Sequence, residues 1–116
     1  MTEQLKAERA ELWAKALDLN NGKESRGKFR NGKLRCCLCV AADVAAEQNK
    51  DTTYKRGCNK MPKEKVREWF GWDSVNPCLR DWTSTSRNDI EKLPHKEIAA
   101  LVRKEFCTPP KGKKSV

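Results

Sequence analysis

Cys36-Cys37-Leu38-Cys39-Val40-Ala41-Ala42-Asp43-Val44-Ala45 is the stretch on which the fold turns. Read as chemistry, Cys36-x-x-Cys39 has the spacing of half a tetrahedral zinc site. Read as packing, Cys37, Val40, Ala41, Val44 and Ala45 fall at i, i+3, i+4, i+7 and i+8, one apolar stripe of a helix from Cys36 to about Gln48. A zinc site needs a second ligand pair. Cys58, Cys78, Cys107 and His95 are the remaining candidates, and none of them forms a second close pair. A site built from Cys36, Cys39, Cys58 and Cys78 therefore requires separated segments to converge. A redox use of Cys36 and Cys39 needs a βαβ setting that the chain does not offer. Thiols also rank among the most buried side chains. The packed helix is the preferred reading, and no metal or cofactor is expected. His95, a lone His behind Pro94, reads as a surface residue near a helix start.

Immediately upstream, Lys23, Arg26, Lys28, Arg30, Lys33 and Arg35 lie within thirteen residues, opposed there only by Glu24. Asn31-Gly32 at the centre of this block is a strong hairpin signal, because a type I′ turn takes two positive φ values. Short strands over Arg26–Arg30 and Lys33–Cys36 are expected, leaning on the helical core through Phe29 and Leu34. Before the block, residues 3–19 read as a helix carrying Leu5, Leu12, Trp13, Ala16 and Leu17, stopped by Asn20-Asn21-Gly22.

Downstream, Asn49–Lys60 is polar with turn character. Pro62 opens a helix over Lys63–Phe70 with Val66, Trp69 and Phe70 on one side, and Gly71 closes it. Trp72–Ser86 reads as irregular, and Asn88–Leu93 as a single turn capped by Asp89. Pro94 opens a last helix to about Phe106, with Ile98, Leu101, Val102 and Phe106 in line. Trp13 and Trp69 are assigned to the core, Trp72 and Trp82 less firmly. Asp43, alone in an apolar helix, is expected to answer a buried donor or an Arg.

These readings predict a small, mainly helical α+β domain of about four helices with a short basic β-hairpin. One globular unit spans 1–107, and 108–116 is a flexible basic tail. At 116 residues, 37% of them hydrophobic and 35% charged, the core is modest and the surface heavily ionised. No run approaches the ~20 apolar residues of a membrane span, and no secretory signal follows Met1. A soluble protein of a reducing cytoplasm, without membrane contact, is therefore expected. The net charge of +9 is uneven. Residues 1–20 hold three bases and four acids, whereas 21–60 hold ten and four. Lys55, Arg56 and Lys60 extend the basic block, and the tail adds Lys111, Lys113 and Lys114.

In outline the chain resembles a family of small uncharacterised proteins encoded by tailed bacteriophages and prophages. The matching residues are Trp13 to Leu17, Cys36-Cys37-Leu38 with Val40 and Asp43, and Met61-Pro62 with Val66, Trp69 and Gly71. Asp73, Asn76-Pro77, Asn88-Asp89 and Ile98-Ala99 complete them. The likeness covers most of residues 10–106. It departs at Cys39, where the family pattern has Gly, and at Met61, where it has Leu. The resemblance implies provenance in a host cytoplasm and a fold, but no activity.

No phosphate-binding Gly loop, nucleophile elbow or two-His metal helix is present. The expected function is non-enzymatic: contact with nucleic acid through Lys23, Arg26, Lys28, Arg30, Lys33 and Arg35, by neutralising phosphates. The rival is an interaction module that inhibits or modulates a host enzyme by docking the same surface on an acidic protein. A zinc-stabilised domain is third.

Overall fold

Thr2 begins the first helix by accepting a hydrogen bond at Oγ1 from the Leu5 amide, 3.1 Å away. That satisfies one of the amides a helix start leaves open. The computed structural model describes residues 2–25, 30–31, 34–48, 63–74, 76–79, 82–83, 87–88 and 90–107. Helix α1 spans Glu3–Leu19 and buries Ala10, Trp13, Ala14 and Leu17. Trp13 and Leu17 are buried as expected, but Ala10 and Ala14 join them while Leu5, Leu12 and Ala16 are only half-buried. Two small residues beside Trp13 let the neighbouring helices come close.

Helix α2, Cys37–Gln48, is buried on nearly every side: Cys36 to Ala42, Val44 and Ala45 are all in the core. The predicted single stripe was too narrow. Ala, Cys and Val are small enough for this helix to be enclosed, and a helix apolar all round belongs inside. Cys36 starts it by accepting at Sγ from the Cys39 amide at 3.4 Å.

Helix α3, Lys63–Phe70, buries Val66, Trp69 and Phe70. It closes in a Schellman turn. The Trp72 amide donates to the Arg67 carbonyl at 3.1 Å and the Gly71 amide to that of Glu68 at 3.2 Å. Gly71 sits at φ +75°, where a Cβ would be strained. Trp72 follows directly and is buried, its ring stacked on Phe70 at 4.6 Å between centroids. Trp13 meets both, at 5.8 Å from Phe70 and 5.1 Å from Trp72. Its indole Nε1–H donates to the Cys37 carbonyl at 3.0 Å, which ties α1 to the first turn of α2. Each such ring removes ~150–250 Å² from water, so this cluster is the principal apolar anchor.

The segment expected to be irregular contains an antiparallel pair, β3 (Cys78–Leu79) with β4 (Trp82–Thr83). Two-residue strands are too short to show a period of two. The Trp82 side chain lies outside the described residues, as do Asp89, Asn49–Lys60 and the tail 108–116.

The last helix, α4, is His95–Val102, with Pro94 at its N-cap, and it buries Ile98, Ala99 and Val102. It does not run on to Phe106 as an α-helix. Residues Arg103–Cys107 widen into a π-helical turn. This turn brings Phe106 within 6.5 Å of Trp13 and lets the Cys107 thiol reach the Ala7 carbonyl at 3.6 Å. Arg103 meets both Glu11 (3.0 Å) and Asp18 (2.9 Å) on α1. Helices α1 and α4 therefore run antiparallel. The described residues form a mainly helical α+β single domain with four α-helices and minor β structure. No helix among the described residues is long and apolar enough to cross a membrane.

Candidate nucleic-acid interface

The basic block begins at the C-terminal end of α1, where Asn20 and Gly22 (φ +91°) turn the chain. A short hairpin follows, β1 (Arg30–Asn31) against β2 (Leu34–Arg35), with Arg30 opposite Arg35 and Asn31 opposite Leu34. This register differs by one residue from the expected one. Asn31, expected in the turn, is instead paired with Leu34 as the closing residue of β1. Tertiary bonding sets the register. Beyond β1, Arg35 is also bridged to Glu24: its amide donates to the Lys23 carbonyl at 3.1 Å and its carbonyl accepts from Ser25 at 3.0 Å. The Arg35 backbone is thus paired on both sides.

The Arg35 guanidinium turns inward. It pairs with Asp43 on α2 and donates to Asn20 Oδ1 at 3.0 Å. Asp43 thus meets an Arg, as its place in an apolar helix suggested. Arg35 serves as a strut, with its charge offset inside the fold. Lys23 is exposed. Arg30 holds its place in β1, while Arg26, Lys28, Lys33 and the side chain of Arg30 lie outside the described residues.

Beneath the block lies a buried polar cluster that sequence reasoning missed. His95, expected on the surface, is fully buried, as is Asn88; Asn20 is 2% exposed. His95 Nδ1 is 2.9 Å from Asn20 Nδ2, and Nε2 is 3.0 Å from Asn88 Oδ1. The amide donor of Asn20 and the carbonyl acceptor of Asn88 assign a neutral imidazole protonated on Nε2. Asn88 Oδ1 also accepts from the Cys37 amide at 3.2 Å, and Asn88 Nδ2 donates to the Ser25 carbonyl at 2.6 Å. Asn20 Nδ2 makes a further bond to the Lys23 carbonyl at 3.2 Å. Glu24 accepts from the amides of Gly22 (2.8 Å) and His95 (2.9 Å). Burial alone would push the Glu24 carboxyl up, but these backbone bonds prevail and hold it below its ordinary range.

The arrangement binds its own backbone. Every polar atom of Asn20, Asn88 and the His95 ring has a partner inside the fold, so the cluster clamps α1, β2, α2 and α4 together at one end. Such fully satisfied buried networks fix a single arrangement of their segments. The only sequence hint lay in turn-type Asn residues beside a lone His, a pattern shared by ordinary loops.

Cys36 and Cys39 are buried at the start of α2. Cys78 belongs to β3, and Cys58 lies outside the described residues. Among the described residues no three His, Cys, Asp or Glu side chains are grouped to hold a metal ion. Both nitrogens of His95 are engaged. Cys107 is half-buried, and burial together with the nearby Glu11 carboxylate pushes its thiol up, against the pull of Arg103.

Comparison of the chain with protein-family models, curated proteins and solved structures gave no match.

Proposed function

We propose that this is a non-enzymatic accessory protein of phage type, acting in the host cytoplasm, that binds nucleic acid through the basic face of its hairpin. The observation that carries the reading is the anchoring of Arg35. Its backbone is paired on both sides, and its side chain is held by Asp43 and Asn20. A two-stranded ribbon is marginal alone. Held in this way, it presents the bases around it from a fixed base. Lys23, Arg26, Lys28, Arg30 and Lys33 then neutralise phosphates, and Arg35 positions them.

Charge neutralisation predicts binding that weakens steeply with salt and little preference for sequence. Reversing Lys28 and Arg30 to Glu should abolish it. Anisotropy titrations of a labelled duplex across a range of KCl concentrations test this. Binding insensitive to both salt and the double reversal refutes the proposal.

A second reading draws on Leu34, which is 38% exposed within the basic hairpin. An exposed apolar side chain in a segment so rich in bases suits an acidic protein surface. Capture from host lysate with and without nuclease separates the two. Partners lost on nuclease treatment support nucleic acid, and one stoichiometric protein that persists supports the alternative.

A further inference from the structure

The polar cluster that anchors the hairpin also carries a distant segment to the same end of the molecule. Asn21 Oδ1 accepts from the Lys96 amide at 3.0 Å, and Glu24 accepts from the His95 amide at 2.9 Å. These two bonds bracket Lys23, so its backbone lies against the first turn of α4 although more than seventy residues separate them. Lys23, Lys92 and Lys96 are all exposed, and among the described residues no acid is paired with any of them.

The carboxylates at this end are mostly committed elsewhere. Glu24 is held by backbone amides, Asp43 by Arg35, Asp18 by Arg103 and Glu91 by Arg87. Among the described residues at this end, Glu97 is the exposed carboxylate that remains, turned about 100° around α4 from Lys96. Lys92 adds a second observation. It sits at φ +53°, a conformation costly to any residue with a Cβ, where Gly would be at ease. That turn leads through Pro94 directly into α4, so Lys92 and Lys96 flank the start of the helix.

We propose that Lys92 and Lys96, together with Lys23, form a second set of phosphate contacts that continues the hairpin face onto the start of α4. The ligand is the phosphodiester backbone of a nucleic acid, and the inference rests on the nucleic-acid reading above. The face is thus built from two parts of the chain and is read by shape and charge, not by base edges.

The test measures anisotropy of labelled duplex DNA, and of single-stranded RNA of matching sequence, between about 50 and 200 mM KCl. Lys92→Glu/Lys96→Glu should lower the magnitude of the logarithmic salt slope on duplex by about 1.8, since each phosphate contact contributes about 0.9. The same loss corresponds to an affinity about 60-fold weaker at 0.1 M salt. Lys65→Glu, on the exposed side of α3, should change neither. Lys92→Gly/Lys96→Gln removes the same charges while relaxing the backbone at Lys92, and should reproduce the loss in slope. A stronger effect on duplex or on RNA identifies which polymer is the target.

If wild type binds, the Lys28/Arg30 reversal weakens it and the Lys92/Lys96 variants behave like Lys65→Glu, this inference is wrong and the hairpin reading stands. If wild type binds neither polymer, both fall together.

Discussion

Asn88→Ala is the sharpest probe of the clamp that positions the basic face. The substitution takes partners from the Cys37 amide, the His95 Nε2–H and the Ser25 carbonyl, all in buried residues. Leaving one buried polar group unsatisfied costs about 1–3 kcal/mol. With water partly entering the space, the three together should cost about 4 kcal/mol, a large part of a domain's usual ~5–15 kcal/mol. Urea unfolding followed by fluorescence of the buried Trp13, Trp69 and Trp72 reads this directly. For a slope of about 2 kcal/mol per molar, the midpoint should fall by about 2 M. Asn88→Ala/His95→Ala should cost less than the sum of its parts, by about 1–2 kcal/mol, because one of the stranded donors is then gone. Amide exchange should accelerate first at Ser25 and Arg35, whose mutual bond of 3.0 Å is the seam the clamp closes. A midpoint shift under about 0.5 M, or exchange rising equally along α1, would refute the idea that Asn88 joins the hairpin base to the helices.

Two more outcomes follow from named contacts. Trp13→Phe removes the indole donor to the Cys37 carbonyl and part of the aromatic anchor, and should cost about 2–4 kcal/mol in the same urea assay. A loss below about 1 kcal/mol would show that the indole bond contributes little. Glu24 supplies the pH dependence. Its carboxyl is held below the ordinary value in the folded state, so the unfolded chain binds the extra proton in the window between the two. The stability it contributes is complete above its unfolded value of about 4.3 and is lost as pH falls toward the folded one. The stability gap between wild type and Glu24→Gln should therefore narrow from pH 6 to pH 3; a gap that widens on acidification contradicts the assignment.

Much of the helical frame was legible because apolar spacing and stop signals agree. The end of α1 follows from Asn20-Asn21-Gly22 and that of α3 from Gly71, and the Cys36–Ala45 run reads as helix by its stripe. What stayed hidden depends on partners far along the chain. Nothing local marks Asn20 and Asn88 as core residues, since Asn in a turn has the same surroundings in sequence whether its amide meets water or a buried imidazole. His95 was misplaced for the same reason. The hairpin register slipped by one because Asn31-Gly32 is a strong local signal, overruled by the bridge between Arg35 and Glu24. The basic block was visible as composition, but the inward turn of Arg35 was visible only as an Asp43 that needed a buried donor or an Arg. Likewise, Lys96 is joined to the block only through the bonds of Asn21 and Glu24 to the start of α4.

The clamp joins Asn20 to His95, Ser25 to Asn88 and Cys37 to Asn88, contacts separated by 75, 63 and 51 residues. Long-range closures of this kind form late, because the loop entropy must be overcome before they contribute. As the chain emerges during synthesis, α1 and α2 can pack, yet the base of the hairpin stays open until Asn88 and His95 have been made. The base of the ribbon, where Lys23 and Ser25 meet Arg35, should accordingly be among the last parts of the fold to close, because its partners Asn88 and His95 lie so far along the chain.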